Sequence, residues 1–85
     1  KYGYTYAFYL HQRRERDEAV SVLREMVRRN VPYGDAYALL GAIHLERGEL
    51  DEAAGAYRSA CANGSLTQGE REQFKTMLRS LEQGL

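Results

Sequence analysis

The chain predicts an all-α protein of about five helices, arranged as two similar helical hairpins followed by a fifth helix. Three observations carry this expectation. Apolar residues recur at intervals of three and four through most of the 85 residues, the period of an amphipathic helix. One grammar recurs at a fixed offset of 34 positions: Asp17-Glu18-Ala19 returns as Asp51-Glu52-Ala53, from 17 to 51, and Tyr6-Ala7 returns as Leu40-Gly41, from 6 to 40. A period of this size marks a duplicated supersecondary unit. Chain-breaking residues also fall where such a unit needs them, at Asn30-Val31-Pro32, Gly48 and Asn63-Gly64.

The first helix is expected over residues 2–13. Tyr2, Tyr6, Tyr9 and Leu10 follow helical spacing, with Tyr4 and Phe8 on an adjoining stripe. The alternation Tyr2, Tyr4, Tyr6, Phe8 would also suit a strand, because aromatic residues fit a pleated surface. The offset decides for helix, since Tyr6-Ala7 and Leu10 fall where Leu40-Gly41 and His44 fall. The run Gln12-Arg13-Arg14-Glu15-Arg16 makes the turn and lacks the glycine that Gly48 supplies one unit later. A non-glycine residue is therefore expected in the left-handed region, at a cost of about 1 kcal/mol or slightly more.

The second helix is expected over 17–29, with acids in its first turn and Arg28-Arg29 in its last, as the macrodipole favours. Its inner face reads Ala19, Val20, Leu23, Met26 and Val27, and Pro32 pushes the preceding residue out of helical geometry. The third helix is expected over 35–47 and the fourth over 50–62, with Gly48 between them and Asn63-Gly64 at the end. Gly41, Ala53 and Ala60 allow close contact, while Tyr37, Leu40, Leu50 and Tyr57 fill the space between. Thr67 and Glu70 have the spacing of a capping box that opens a fifth helix over 68–85. Phe74, Met77, Leu78, Leu81 and Leu85 form its apolar stripe, and Leu78 and Leu81 are expected to cover the face left open by the fourth helix.

Composition sets the outer limits. Eighty-five residues make one small domain, divided here as 1–33, 34–67 and 68–85. A formal charge of zero argues against nucleic acid or an anionic membrane as a general partner, although residues 1–33 carry seven basic and four acidic side chains and residues 34–67 two and five. No apolar run approaches the roughly 20 residues of a membrane span. There is no signal peptide and no initiator Met, and Lys1 falls inside a helical pattern, as in a segment cut from a longer chain. Cys61, alone, forms no internal disulfide and leaves the compartment open, with the cytoplasm favoured.

The stretch Tyr37, Leu40, Gly41, His44, Ala53, Tyr57 and Ala60 resembles a tetratricopeptide repeat, with His44 departing where that family prefers Tyr. The resemblance implies an α-solenoid of helical hairpins with a C-terminal solvating helix. It also implies that the first helix of each repeat lines a concave groove. The positions that fall there are Tyr4, Phe8, His11 and Gln12 in the first repeat and Asp35, Ala38, Ala42 and Leu45 in the second. Members that grip an acidic C-terminus use Lys and Asn at such places; Tyr4, Phe8 and Leu39 stand there instead, which argues against that mode. The implied function is a scaffold that binds a partner's peptide in an apolar, aromatic-lined groove. Two other readings remain: a pentatricopeptide-like RNA-binding repeat, suggested by Asp17 through Arg29, and a self-association module acting through the end faces of the stack.

No enzymatic chemistry is legible. His11 and His44 lack convergent ligands at metal spacing, and His44 takes an inter-helix packing place. Cys61 has no adjacent His to activate it. Neither a glycine-rich phosphate loop nor a nucleophile elbow is present, so neither enzyme activity nor a cofactor is expected. The rings are the informative feature: five of nine lie within residues 2–9, with Tyr6 and Tyr37 suited to fill helix contacts and Tyr4 and Phe8 suited to a groove.

Overall fold

A computed structural model describes residues 2–84 and contains five helices: α1 (Tyr2–Gln12), α2 (Arg16–Arg28), α3 (Gly34–Glu46), α4 (Leu50–Ala62) and α5 (Gln68–Gly84). No strand occurs among the described residues. The aromatic alternation in α1 thus yields to the helical register. Leu85 and the Tyr2 side chain, both assigned to stripes above, lie outside what is described.

The 34-residue offset recurs in the helix boundaries. α2 and α4 begin at 16 and 50, α3 and α5 at 34 and 68. Buried positions recur in step: Ala7 with Gly41, Leu10 with His44, Ala19 with Ala53, Leu23 with Tyr57, Met26 with Ala60, and Leu40 with Phe74. Short turns join α1 to α2 and α3 to α4, and each pair packs together, so both are antiparallel hairpins. α2 bridges the hairpins by packing on α3, and α5 packs on α4.

The turns share one chemistry. After α1, the Arg14 amide donates to the His11 carbonyl at 3.0 Å and the Glu15 amide to the Leu10 carbonyl at 2.9 Å. After α3, Gly48 donates to Leu45 at 3.0 Å and Glu49 to His44 at 2.8 Å. Both are Schellman closures, which need a left-handed residue at the first of those amides. Gly48 adopts φ 74° and Arg14 φ 65°, so the missing glycine is replaced by a strained arginine. The end of α2 repeats the device with Asn30 at φ 54°. Arg14→Gly removes the Cβ penalty but loosens the unfolded chain, for a net gain of about 0.5–1 kcal/mol. In a domain of this size the expected result is a melting temperature raised by roughly 2–8 °C; no rise would mean the turn is not under strain.

Two cores result. The first joins Ala7 and Leu10 to Ala19, Val20, Leu23 and Met26 and to Ala36, Leu39, Leu40 and Ile43. The second joins Tyr37, Tyr57, Ala60, Leu66 and Phe74. Between them sits buried Asn63, whose Nδ2 donates to the Tyr37 hydroxyl at 2.6 Å and to the Val31 carbonyl at 3.0 Å. The capping box forms as expected: the Thr67 amide donates to Glu70 Oε1 at 2.9 Å and the Glu70 amide to Thr67 Oγ1 at 3.1 Å.

Leu78 and Leu81, half-buried, pack as expected against the cluster that holds Tyr57 and Ala60 of α4, beside the more deeply buried Phe74. One expectation needs correction. Tyr6 does not fill a helix contact. It is 48% exposed, and its hydroxyl donates to Glu18 Oε2 at 3.0 Å. A phenol at that register position is long enough to reach the first turn of α2 and leave its ring at the surface.

Candidate functional site

The eight residues assigned to a groove fall on α1 and α3, one helical repeat apart. On α1, Tyr4 is half-buried against the first core, while Phe8 one turn later is 41% exposed. Their ring centroids are 6.2 Å apart at 40°, a tilted aromatic pair. On α3, Asp35, Ala42 and Leu45 are exposed and Ala38 is half-buried against the second core. The stripe Asp35, Ala38, Ala42, Leu45 thus runs along one helix face with no side chain larger than alanine at its centre. Leu39 lies buried in the first core, beside this stripe rather than on it.

At the far end Glu46 of α3 faces both His11 of α1 and Arg16 at the start of α2. His11 Nε2 lies 3.9 Å from Glu46 Oε1, and Arg16 Nε lies 3.4 Å from the same oxygen. Gln12 is exposed next to this cluster. Among the described residues no group of three His, Cys, Asp or Glu side chains could hold a metal ion, and no helix is long and apolar enough to cross a membrane.

Beyond Leu45 the surface opens into a cavity of about 340 Å³ between α3, α4 and α5, lined by Leu45, Tyr57, Thr76, Met77, Ser80 and Leu81. Sequence reasoning included Leu45 here and missed the α5 residues. The signal was present: carried on by the same offset, Ala42 leads to Thr76, from 42 to 76, and Glu46 to Ser80, from 46 to 80. Treating α5 only as a cap hid its second face. Its lining combines a thioether and two aliphatic side chains with the hydroxyl-bearing Tyr57, Thr76 and Ser80, a chemistry suited to apolar groups of a partner.

His44 is buried in the opposite direction. Its Nδ1 lies 2.7 Å from Glu49 Oε1, a contact that requires the proton on that nitrogen. This hydrogen bond, helped by Arg47, holds the Glu49 carboxyl below its usual range. Its stabilising effect is complete above the ordinary carboxylate pKa and is lost as acid carries Glu49 through the lowered value. His44 is thus a satisfied structural histidine, tied to the turn that follows its own helix.

Comparison of the chain with protein-family models, with curated proteins and with solved structures gives no match.

Proposed function

We propose that this chain is a protein-interaction module that holds a peptide segment of a partner along the α1–α3–α5 face. The observation that carries the reading is the exposure of Phe8 at 41% and Leu45 at 38% on two helices of equivalent register. Large apolar side chains held open on rigid helices cost solvation free energy, and a partner's apolar groups recover it. The tetratricopeptide resemblance supports the same face, because that family's groove positions coincide with Tyr4, Phe8, Ala38, Ala42 and Leu45. Phe8 and Tyr4 supply an aromatic wall, the alanines a shallow floor that lets a backbone approach, and the Leu45–Met77 cavity an anchor point.

The test is selection of a displayed random-peptide library against the chain, followed by measurement of the enriched peptide's Kd. Phe8→Ala should weaken it at least tenfold, about 1.4 kcal/mol or more, with the melting temperature nearly unchanged. Phe8 is the better probe than Tyr4, whose ring also packs on the first core. A folded Phe8→Ala chain that binds the same peptides with unchanged Kd would place binding elsewhere. Single-stranded RNA carried through the same titration tests the nucleic-acid alternative.

A further inference from the structure

We propose that the Tyr6–Tyr9–Arg13 face of α1 is a docking surface for an amphipathic α-helix with an acidic first turn, supplied by another polypeptide segment. The argument is internal to the molecule. Tyr6 and Tyr9 occupy the places of Leu40 and Ile43, from 6 to 40 and from 9 to 43. Leu40 and Ile43 are 4% and 0% exposed and share a buried cluster with Val20, Leu23 and Met26 of α2. Tyr6 and Tyr9 are 48% and 51% exposed, so about half of each residue stands open on a face whose counterpart is covered by a helix.

The charges obey the same correspondence. Arg47, at the end of α3, receives Asp17 from the first turn of α2 at 3.0 Å. Arg13 holds Arg47's place on α1, from 13 to 47. Its guanidinium lies over the Tyr9 ring, 5.5 Å from the centroid, and donates to the Tyr9 hydroxyl at 3.1 Å. Its ionic partner is Glu15 of its own turn at 3.7 Å, an exposed pair that an incoming carboxylate can replace. Two tyrosine rings and an arginine stacked on one of them are the side chains that anchor protein interfaces.

The occupant's chemistry follows from what covers α3: aliphatic residues at intervals of three and four, a small residue at the crossing, and a carboxylate in the first turn. In a second copy of this chain the amphipathic helices are already engaged, α5 through Phe74, Met77, Leu78 and Leu81 on the second core. The apolar faces of α2 and α4 are buried within their own molecule, through Ala19, Val20 and Leu23 and through Ala53, Ala56 and Tyr57. This face is distinct from the peptide groove and does not depend on it.

The experiment supplies the helix as a tethered probe. A duplicate of residues 16–34 joined ahead of Lys1 of the full chain keeps the 34-residue offset and gives a high effective concentration. Nitration of tyrosines by tetranitromethane is followed site by site, with Tyr4 as the internal reference. Protection of Tyr6 and Tyr9 by at least tenfold relative to Tyr4 is expected. Asp17→Arg in the duplicate should restore reactivity, and Arg13→Glu in the same chain should bring protection back. A duplicate carrying Val20→Asp and Leu23→Asp controls for the tether. Unchanged nitration of Tyr6 and Tyr9, or protection indifferent to the charge exchange, would overturn the proposal.

Discussion

Phe74→Ala should leave the protein without a cooperative folding transition at physiological temperature. Phe74 is the side chain that joins three helices. It stands edge-on to Tyr37 of α3 at 6.3 Å and tilted against Tyr57 of α4 at 5.9 Å. Removing a buried phenylalanine costs about 3–5 kcal/mol through lost transfer energy and the cavity left behind. The two aromatic contacts add roughly 0.5–1.5 kcal/mol each. A domain of this length has about 5–10 kcal/mol in all, so one substitution consumes most of it. Urea denaturation followed by circular dichroism at 222 nm reads this directly. A loss below about 1 kcal/mol would show that α5 is an appendage whose ring merely rests on the hairpin. Leu81→Ala, at a half-buried site on the same helix, should cost distinctly less.

Gly41→Leu is the second large effect, and three glycine substitutions together separate its causes. A Cβ on Gly41 would come within 2.6 Å of Tyr57 Cζ, inside the contact distance of a buried ring. Gly41→Ala gains about 1 kcal/mol of helix propensity and loses about 1–3 kcal/mol by overpacking, so it should be mildly destabilising. Leu at the same place adds three more carbons in the same direction and should unfold the second hairpin. Gly55→Ala on α4, where an added Cβ meets nothing within 4 Å, keeps only the propensity gain and should stabilise by about 1 kcal/mol. The order Gly55→Ala above wild type above Gly41→Ala above Gly41→Leu in urea midpoint is the expected result. Stabilisation by Gly41→Ala would mean that Tyr57 moves aside easily.

Helix number, the hairpin turns, the capping box and the strained residue at the first turn were legible because each rests on local rules: period, cap, and the handedness of a peptide unit. The offset added what no local rule gives, the choice of helix over strand in residues 2–9. The weaker readings share another cause. Tyr6 and Phe74 occupy the places of one another's counterpart, Leu40, yet one is exposed and the other buried, because only the neighbouring helix decides. Periodicity reports which residues share a face and is silent on what that face meets. The cavity beside Leu45 was missed for the same reason, since its other wall comes from α5. The Glu49 carboxylate that satisfies His44 lies five positions away across a turn, a distance that no helical spacing rule covers.

Asn63 changes how the molecule comes apart. In a chain whose helices touch mainly their sequence neighbours, each end is free to fray by itself. Asn63 closes α4, yet it grips the Val31 carbonyl in the link between the hairpins and the Tyr37 hydroxyl on α3. Its side-chain Oδ1 also accepts the Ser65 amide on the way to α5. Undocking α5 removes Phe74 from the Tyr37 ring, whose hydroxyl is the partner of a buried amide that fastens the middle of the chain. Loss of one end should therefore reach the centre, and hydrogen–deuterium exchange is expected to show the amides of the two hairpins opening together.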